Sequence, residues 1–199
     1  MKTIEIPYLE PSERQLSQIC DAIEDGQIVI LPTDTIYAIC CNALSQPAIE
    51  RLCKIKHINP EKTNLSIICS DLSQASEYAK IDNSAFRIIK GLVPGPFTFL
   101  LRSASTLPKA FKGRKTVGVR IPDISICRSV AERLGHPILT TSIQFDSEDY
   151  AVSPGLIAEN YQSMIDLFVD TGDGDTIPST IIDCRDSEPV IVRQGKGEI

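Results

Sequence analysis

Short apolar runs alternate along the whole chain with segments whose apolar residues recur every three or four positions, and that alternation points to an α/β fold. "KTIEIPY" alternates like an edge strand. Ser12 with Gln15 makes a capping box, opening a helix whose Leu16, Ile19, Cys20 and Ile23 keep helical spacing until Gly26 stops it. Gln27 to Ala43, "QIVILPTDTIYAICCNA", reads as one buried strand running into a second across Pro-Thr-Asp-Thr. Pro47 suits the first turn of a helix carrying Ile49, Leu52, Cys53 and Lys56, and "NLSIIC" reads as the next strand. Helices over "DLSQASEYA" and "NSAFRIIKGL" end at "VPGPF", where two prolines and a glycine forbid continuation. "FTFLLRS" and "TVGVRIP" follow as strands, a helix runs from Ser125 to Leu134 and ends at Gly135, and "PILTTS" is a strand. After the polar "FDSEDY" come a weak helix near Pro154 to Gln162 and the strands "DLFVD", "STIIDC" and "PVIVRQG". The expectation is a twisted sheet of mixed parallel and antiparallel strands flanked by helices, its later strands close enough for antiparallel hairpins.

At 199 residues and 42% hydrophobic, with no long Pro/Gly/Ser linker, the chain is expected to bury one core in a single domain over residues 5–196. The N-terminus lacks an apolar signal region, and no stretch approaches the roughly 18 apolar residues of a membrane span, so a soluble, cytoplasmic protein with no membrane partner is expected. Seven cysteines, odd in number and never spaced C-x-x-C, suggest neither a disulfide framework nor a zinc site. His57 and His136 are too few and too far apart to build a metal site, and no metal ligand is assigned.

The net charge of -6 is unevenly spread: residues 51–120 hold 13 Lys or Arg against 4 Asp or Glu, and the remainder 7 against 22. Cations concentrated in one third of an acidic chain fit a phosphate or nucleic-acid partner, and equally fit solvated helix faces scattered by folding. In Pro-Thr-Asp-Thr, Pro32 gives up a backbone donor, Asp34 can fold its carboxylate onto nearby amides, and Thr33 and Thr35 add hydroxyls. A hydrogen-bonded loop at a strand end is where α/β proteins place ligands, and is also an ordinary turn.

"LPTDTIYAI", "VPGPFTFLL", "TVGVRIPD", "LTTS" and "STIIDCRDSEPVIVRQG", in this order over nearly the whole chain, resemble the YrdC-like superfamily, best understood through its threonylcarbamoyl-AMP synthases. The resemblance implies an α/β fold with a concave, positively charged cavity. It also implies condensation of ATP, L-threonine and bicarbonate into threonylcarbamoyl-AMP and pyrophosphate, for modification of adenosine 37 in tRNA. ATP is then a substrate that brings its own Mg2+, AMP a related ligand, and RNA, as tRNA or double-stranded RNA, a further partner. By the same resemblance Lys56, Arg120 and Ser142 carry the chemistry. Thr33, Tyr37, Thr116 and Gln144 bind the amino-acid substrate, and Lys56, Lys62, Ser142, Ser179 and Arg193 bind the nucleotide. Lys56, Arg120, Ser142 and Arg193 should therefore line one cavity, with Thr33 at its rim. The competing readings are a core-edge aromatic for Tyr37, a strand-face salt bridge for Arg120, a solvated charge for Arg193 and a helix-dipole partner for Lys56.

Two departures stand out. The synthases carry K-x-R at the end of the second helix, where this chain has Lys56-His57-Ile58, and S-x-N where it has Ser142-Ile143-Gln144. Losing the arginine removes charge-assisted hydrogen bonds worth about 1.5–3 kcal/mol, roughly 10- to 100-fold in rate, unless Lys54, Lys62 or the "KGRK" loop replaces it. Both departures resemble the YciO branch. Weak or altered synthase chemistry, a carbamoyl-adenylate enzyme with another substrate, and an RNA-binding module without chemistry remain the competing functions.

Overall fold

The computed structural model describes every residue except Glu61, Gly113, Arg114 and Ser187. In chain order the elements are β1 (Lys2–Glu5), α1 (Glu13–Glu24), β2 (Val29–Leu31), β3 (Ala38–Asn42), α2 (Gln46–Ile55), β4 (Ser66–Ile68), α3 (Leu72–Tyr78), β5 (Ala79–Lys80) and α4 (Asn83–Leu92). They continue with β6 (Phe97–Ser103), α5 (Lys109–Lys112), β7 (Thr116–Arg120), α6 (Ser125–Leu134), β8 (Ile138–Ser142), α7 (Asp149–Val152), α8 (Pro154–Tyr161), β9 (Leu167–Asp170), β10 (Thr180–Asp183) and β11 (Val190–Arg193).

Local signals set the helix ends. Ser12 accepts from the Gln15 amide while the Gln15 side chain accepts from the Ser12 amide, satisfying two donors that α1 would leave bare. Gly26 and Gly135 follow α1 and α6 at φ +76° and +68°, a conformation a Cβ disfavours.

The strands join in one mixed sheet in the order β1-β9-β2-β3-β8-β4-β7-β6-β10-β11, with β5 paired to β6. β1 takes the edge, as its alternation suggests, and the sheet begins at Lys2, ahead of the expected boundary at residue 5. The expected late hairpin is found for β10 and β11. β9 behaves differently: it lies parallel between β1 and β2, and β10 runs parallel to β6. Leu167, Phe168 and Val169 are all buried, as an interior strand covered on both faces requires.

The two faces of the sheet are covered unequally. Successive strand residues point to opposite faces. Ile39, Ile67, Phe99, Val119 and Leu139 enter a large core under α2, α4 and α8. Ala38, Cys40, Ile68 and Ile138 enter a smaller core under α1 and α6. Beyond the reach of α1 and α6, that second face carries Ser66, Thr98, Gly118, Arg120, Thr140 and Ser142 by the same alternation. No helix among the described residues is long and apolar enough to cross a membrane.

Candidate functional site

A cavity of about 150 Å3 opens on the polar half-face, lined by Ser66, Thr98, Arg120, Thr140, Ser142, Ser179, Arg193, Ile58 and Asn64 among others. Strand pairing assembles it: Ser66 lies opposite Gly118 on one side and Thr140 on the other. A Cβ at Gly118 would come within 2.3 Å of Ser66 Oγ and 3.1 Å of Thr98 Cγ2, so glycine there keeps the floor open.

Arg120 is 4% exposed. Its Nη2 donates to Asp34 Oδ1 at 2.9 Å and to Thr35 Oγ1 at 3.0 Å. The other Asp34 oxygen accepts from the Asp123 amide at 2.8 Å. Arg120 is therefore a buried salt bridge and a cavity residue at once. Its Nε is buried with no hydrogen-bond partner, and so is Asn64 Oδ1. Buried polar atoms are normally satisfied, and these two unpaired atoms belong to residues that line the same cavity.

Arg193 reaches in from β11, its Nε and Nη2 donating to the Ser179 carbonyl at 3.2 and 2.7 Å. Loss of water around its guanidinium, and then the Arg120 charge, push its pKa down. Ser179 Oγ and Thr98 Oγ1 are 2.8 Å apart. Lys56 caps α2 and sends Nζ to the Ser142 carbonyl at 2.7 Å; burial lowers its pKa to about 8. Its ammonium thus lies against the strand end that carries Ser142.

Arg120, Ser142, Ser179 and Arg193 line the one cavity, and Lys56 abuts it through Ser142. Thr33 does not sit at that rim. Its hydroxyl turns back on its own loop, donating to the Ile36 carbonyl at 2.8 Å and accepting from the Thr35 amide at 3.1 Å. With Tyr37 it lines a neighbouring basin of about 340 Å3 that also holds Asp34, Asp173, Asp175 and Lys196. The Asp34–Arg120 pair stands between the two spaces. The Tyr37 hydroxyl faces the 171–174 loop in place of a ligand: it donates to the Gly172 carbonyl at 2.8 Å and accepts from the Thr171 amide at 3.1 Å.

Three further candidates lie apart. Gln144 is exposed, its backbone amide and carbonyl both held by the Tyr161 hydroxyl. Lys62 is exposed on the loop after α2. Thr116 shares the face of Arg120, but four residues of strand put it about 13 Å away. There it accepts from Arg185 Nη1 at 3.5 Å, in a separate basin of about 840 Å3 with Lys80, Arg102, Lys112 and Lys115. Of the "KGRK" loop, Gly113 and Arg114 lie outside the described residues. Sequence reasoning missed Asn64, Thr98 and Lys196, and took Asp34 for a turn-former without its partner Arg120, which lies 86 positions away.

The sequence profile of the Sua5/YciO/YrdC family, described as "Telomere recombination", matches residues 21–195. The chain belongs to this family. It is 34% identical to the YciO protein of Escherichia coli K12 over 192 residues, 95% of this chain and 93% of that one. The crystal structure of E. coli YciO superposes with a TM-score of 0.89 at 33% identity, covering 99% of this chain and 96% of that one. A putative threonylcarbamoyl-AMP synthase of Methanocaldococcus jannaschii is 32% identical over 197 residues, 98% of this chain and 93% of its own. P. abyssi Sua5, in a crystal structure complexed with L-threonine, matches with a TM-score of 0.86 at 27% identity over 98% of this chain and 57% of the Sua5 chain. The profile spans every cavity residue of this family member and ends one position before Lys196.

Proposed function

We propose that the chain binds ATP and condenses it with L-threonine and bicarbonate into threonylcarbamoyl-adenylate and pyrophosphate, in weakened form, in support of tRNA threonylcarbamoyladenosine modification. The observation that carries this reading is one cavity lined by Arg120, Arg193, Ser142, Ser179 and Asn64, in which Arg120 Nε and Asn64 Oδ1 are buried without a hydrogen-bond partner. The likeness to a Sua5 structure holding L-threonine supports the amino acid as one ligand.

The chemistry needs no nucleophilic side chain. Bicarbonate takes up a proton and loses water to give carbon dioxide, and the threonine amine adds to that carbon and releases a proton, leaving a carbamate. A carbamate oxygen attacks the α-phosphorus, the bond from that phosphorus to the bridging oxygen breaks, and pyrophosphate leaves with its Mg2+. Positioning and charge stabilisation then supply the catalysis. Arg120 and Arg193 take the anionic oxygens, Ser142 and Ser179 present hydroxyls, and Lys56 adds positive charge from behind Ser142. Ligand pockets commonly measure roughly 300–1,000 Å3, so a nucleotide extends from the 150 Å3 cavity over the uncovered face. Ile58 lines the cavity where the synthase motif has arginine, and the missing guanidinium accounts for weakened chemistry.

The test is pyrophosphate release from ATP and bicarbonate with each amino acid in turn. Release dependent on threonine supports the proposal. Release with a different amine moves the chain to another carbamoyl-adenylate substrate, and ATP binding without release under any condition refutes synthase chemistry. A second reading, RNA binding without chemistry, is favoured by the basin of Lys80, Arg102, Lys112, Lys115 and Arg185. RNA held there through phosphates loses affinity steeply with salt, unlike a small molecule in the cavity.

A further inference from the structure

We propose that Lys196 is a positioning residue for the cavity, the tip of a C-terminal latch that holds the Pro32–Thr35 loop and, through Asp34, the Arg120 guanidinium in place. The proposal rests on reading the cavity as the substrate site. Lys196 Nζ donates to the Asp34 carbonyl at 2.8 Å and to Asp175 Oδ2 at 2.7 Å, tying the loop after β2 to the loop after β9. Asp34 then holds Arg120 through one carboxylate oxygen and the Asp123 amide through the other. Two contacts, both made by Asp34, lead from the ammonium to the cavity arginine.

The segment carrying Lys196 is built to place it. The Lys196 amide donates to the Pro178 carbonyl at 2.9 Å, and Thr180 Oγ1 accepts from the Gly195 amide and donates to the Gly197 carbonyl. Gln194 Nε2 donates to the Gly195 and Gly197 carbonyls at 3.2 and 2.7 Å. A Cβ at Gly195 would fall 2.2 Å from the Pro178 carbonyl oxygen, and one at Gly197 would fall 2.4 Å from the Phe97 ring. Both flanking residues must therefore be glycine for the segment to lie this close, and the lysine between them is the side chain so delivered. Arg193, three residues earlier on the same segment, enters the cavity directly. One short stretch thus fixes both arginines, Arg193 by its own side chain and Arg120 through Lys196 and Asp34. Burial raises the Asp175 carboxyl, and the Lys196 bond and charge together with the Ile177 and Thr176 amides outweigh it, leaving its pKa lowered. The basin beside the latch is also lined by Asp123 and Asp173, from the loops after β7 and β9, with the Asp123 carboxylate 3.6 Å from Arg128 Nη1.

The experiment compares wild type, Lys196→Met and Lys196→Arg by amide hydrogen exchange and by calorimetric binding of L-threonine and ATP. Two amides report on the latch: Thr35, bonded to Thr33 Oγ1, and Asp123, bonded to Asp34 Oδ2. The Gln15 amide, capped by Ser12 at the far end of α1, is the control. Lys196→Met is expected to speed exchange at Thr35 and Asp123 by about 10-fold with Gln15 unchanged, and to weaken L-threonine binding by a similar factor. Lys196→Arg, which can still bridge a carbonyl and a carboxylate, is expected to restore both to within about 3-fold. Unchanged exchange at the two reporter amides in Lys196→Met overturns the latch whatever happens to binding. Faster exchange at Gln15 as well shows general destabilisation and overturns it too. If wild type binds neither ligand, the proposed function fails by itself, and the exchange result still decides the latch.

Discussion

Replacing Asp34 by alanine removes one half of a buried ion pair and leaves the other half without compensation. The two side chains are 9% and 5% exposed, and Asp34 also accepts the Asp123 amide. Removing one partner of such a pair typically costs about 3–5 kcal/mol, because the remaining charge stays buried. In a domain of this size 1 kcal/mol moves Tm by about 2–4 °C, so a fall of roughly 6–20 °C is expected. Asp34→Asn keeps one acceptor oxygen, enough for Arg120 or the Asp123 amide but not for both, and should lose less than alanine, about 1–3 kcal/mol. The assay is urea unfolding followed by circular dichroism, with an unchanged m-value as the check that both variants unfold in the same way. A second arm adds pyrophosphate. With the Asp34 carboxylate gone, the Arg120 charge has no counter-ion of its own, so pyrophosphate should stabilise Asp34→Ala more than wild type. A loss below about 1 kcal/mol, or equal stabilisation of the two proteins by pyrophosphate, would refute the placement of Asp34 as the counter-ion that shapes the cavity.

Three other outcomes follow from the same geometry. Lys56 gives up its proton at about 8 in the folded protein but near its ordinary 10.5 when unfolded. The unfolded state therefore holds more protons between those values, and wild type should gain stability relative to Lys56→Met as pH rises from 7.5 to about 10, by urea melts at each pH; wild-type stability that falls relative to Lys56→Met over that range would contradict the burial of its charge. Ile58→Arg places a guanidinium on the cavity lining and should tighten ATP binding or speed threonine-dependent pyrophosphate release by about 10-fold. Tyr37→Phe strips the 171–174 loop of its hydroxyl partner and should cost about 1–3 kcal/mol in unfolding while leaving ATP affinity within about 2-fold.

Local physics made much of the fold readable. α6 runs from Ser125 to Leu134 as its pattern indicates, and the Ser12–Gln15 box opens α1, because caps, glycine stops and periodicity act within a few residues. The short β5, α5 and α7 were not apparent: two to four residues carry no period of their own. Strand order was equally hidden, since nothing near Leu167 indicates that it will lie between Lys2 and Val29. The site divides along the same line. Arg120, Ser142, Ser179 and Arg193 each sit in a recognisable motif, and the fold gathers them on the lining of one cavity. Thr33 and Tyr37 share one of those motifs, yet their hydroxyls go to Ile36 and to the 171–174 loop, contacts set by the fold. Thr116 keeps the right face of β7 and fails only by distance along it. Lys196 had a faint local signal, a lysine between two glycines, whose meaning depends on backbone and ring contacts that only the folded chain supplies.

The most direct test is to incubate the protein with ATP, L-threonine and 13C-bicarbonate and to look for threonylcarbamoyl-adenylate by mass spectrometry. The account predicts a product carrying one 13C, formed only when all three substrates are present, matched by pyrophosphate and abolished in Arg120→Met protein that still folds. If ATP and threonine bind in the cavity and no labelled adenylate forms with wild type or with Ile58→Arg, the claim that this cavity makes a carbamoyl-adenylate is contradicted.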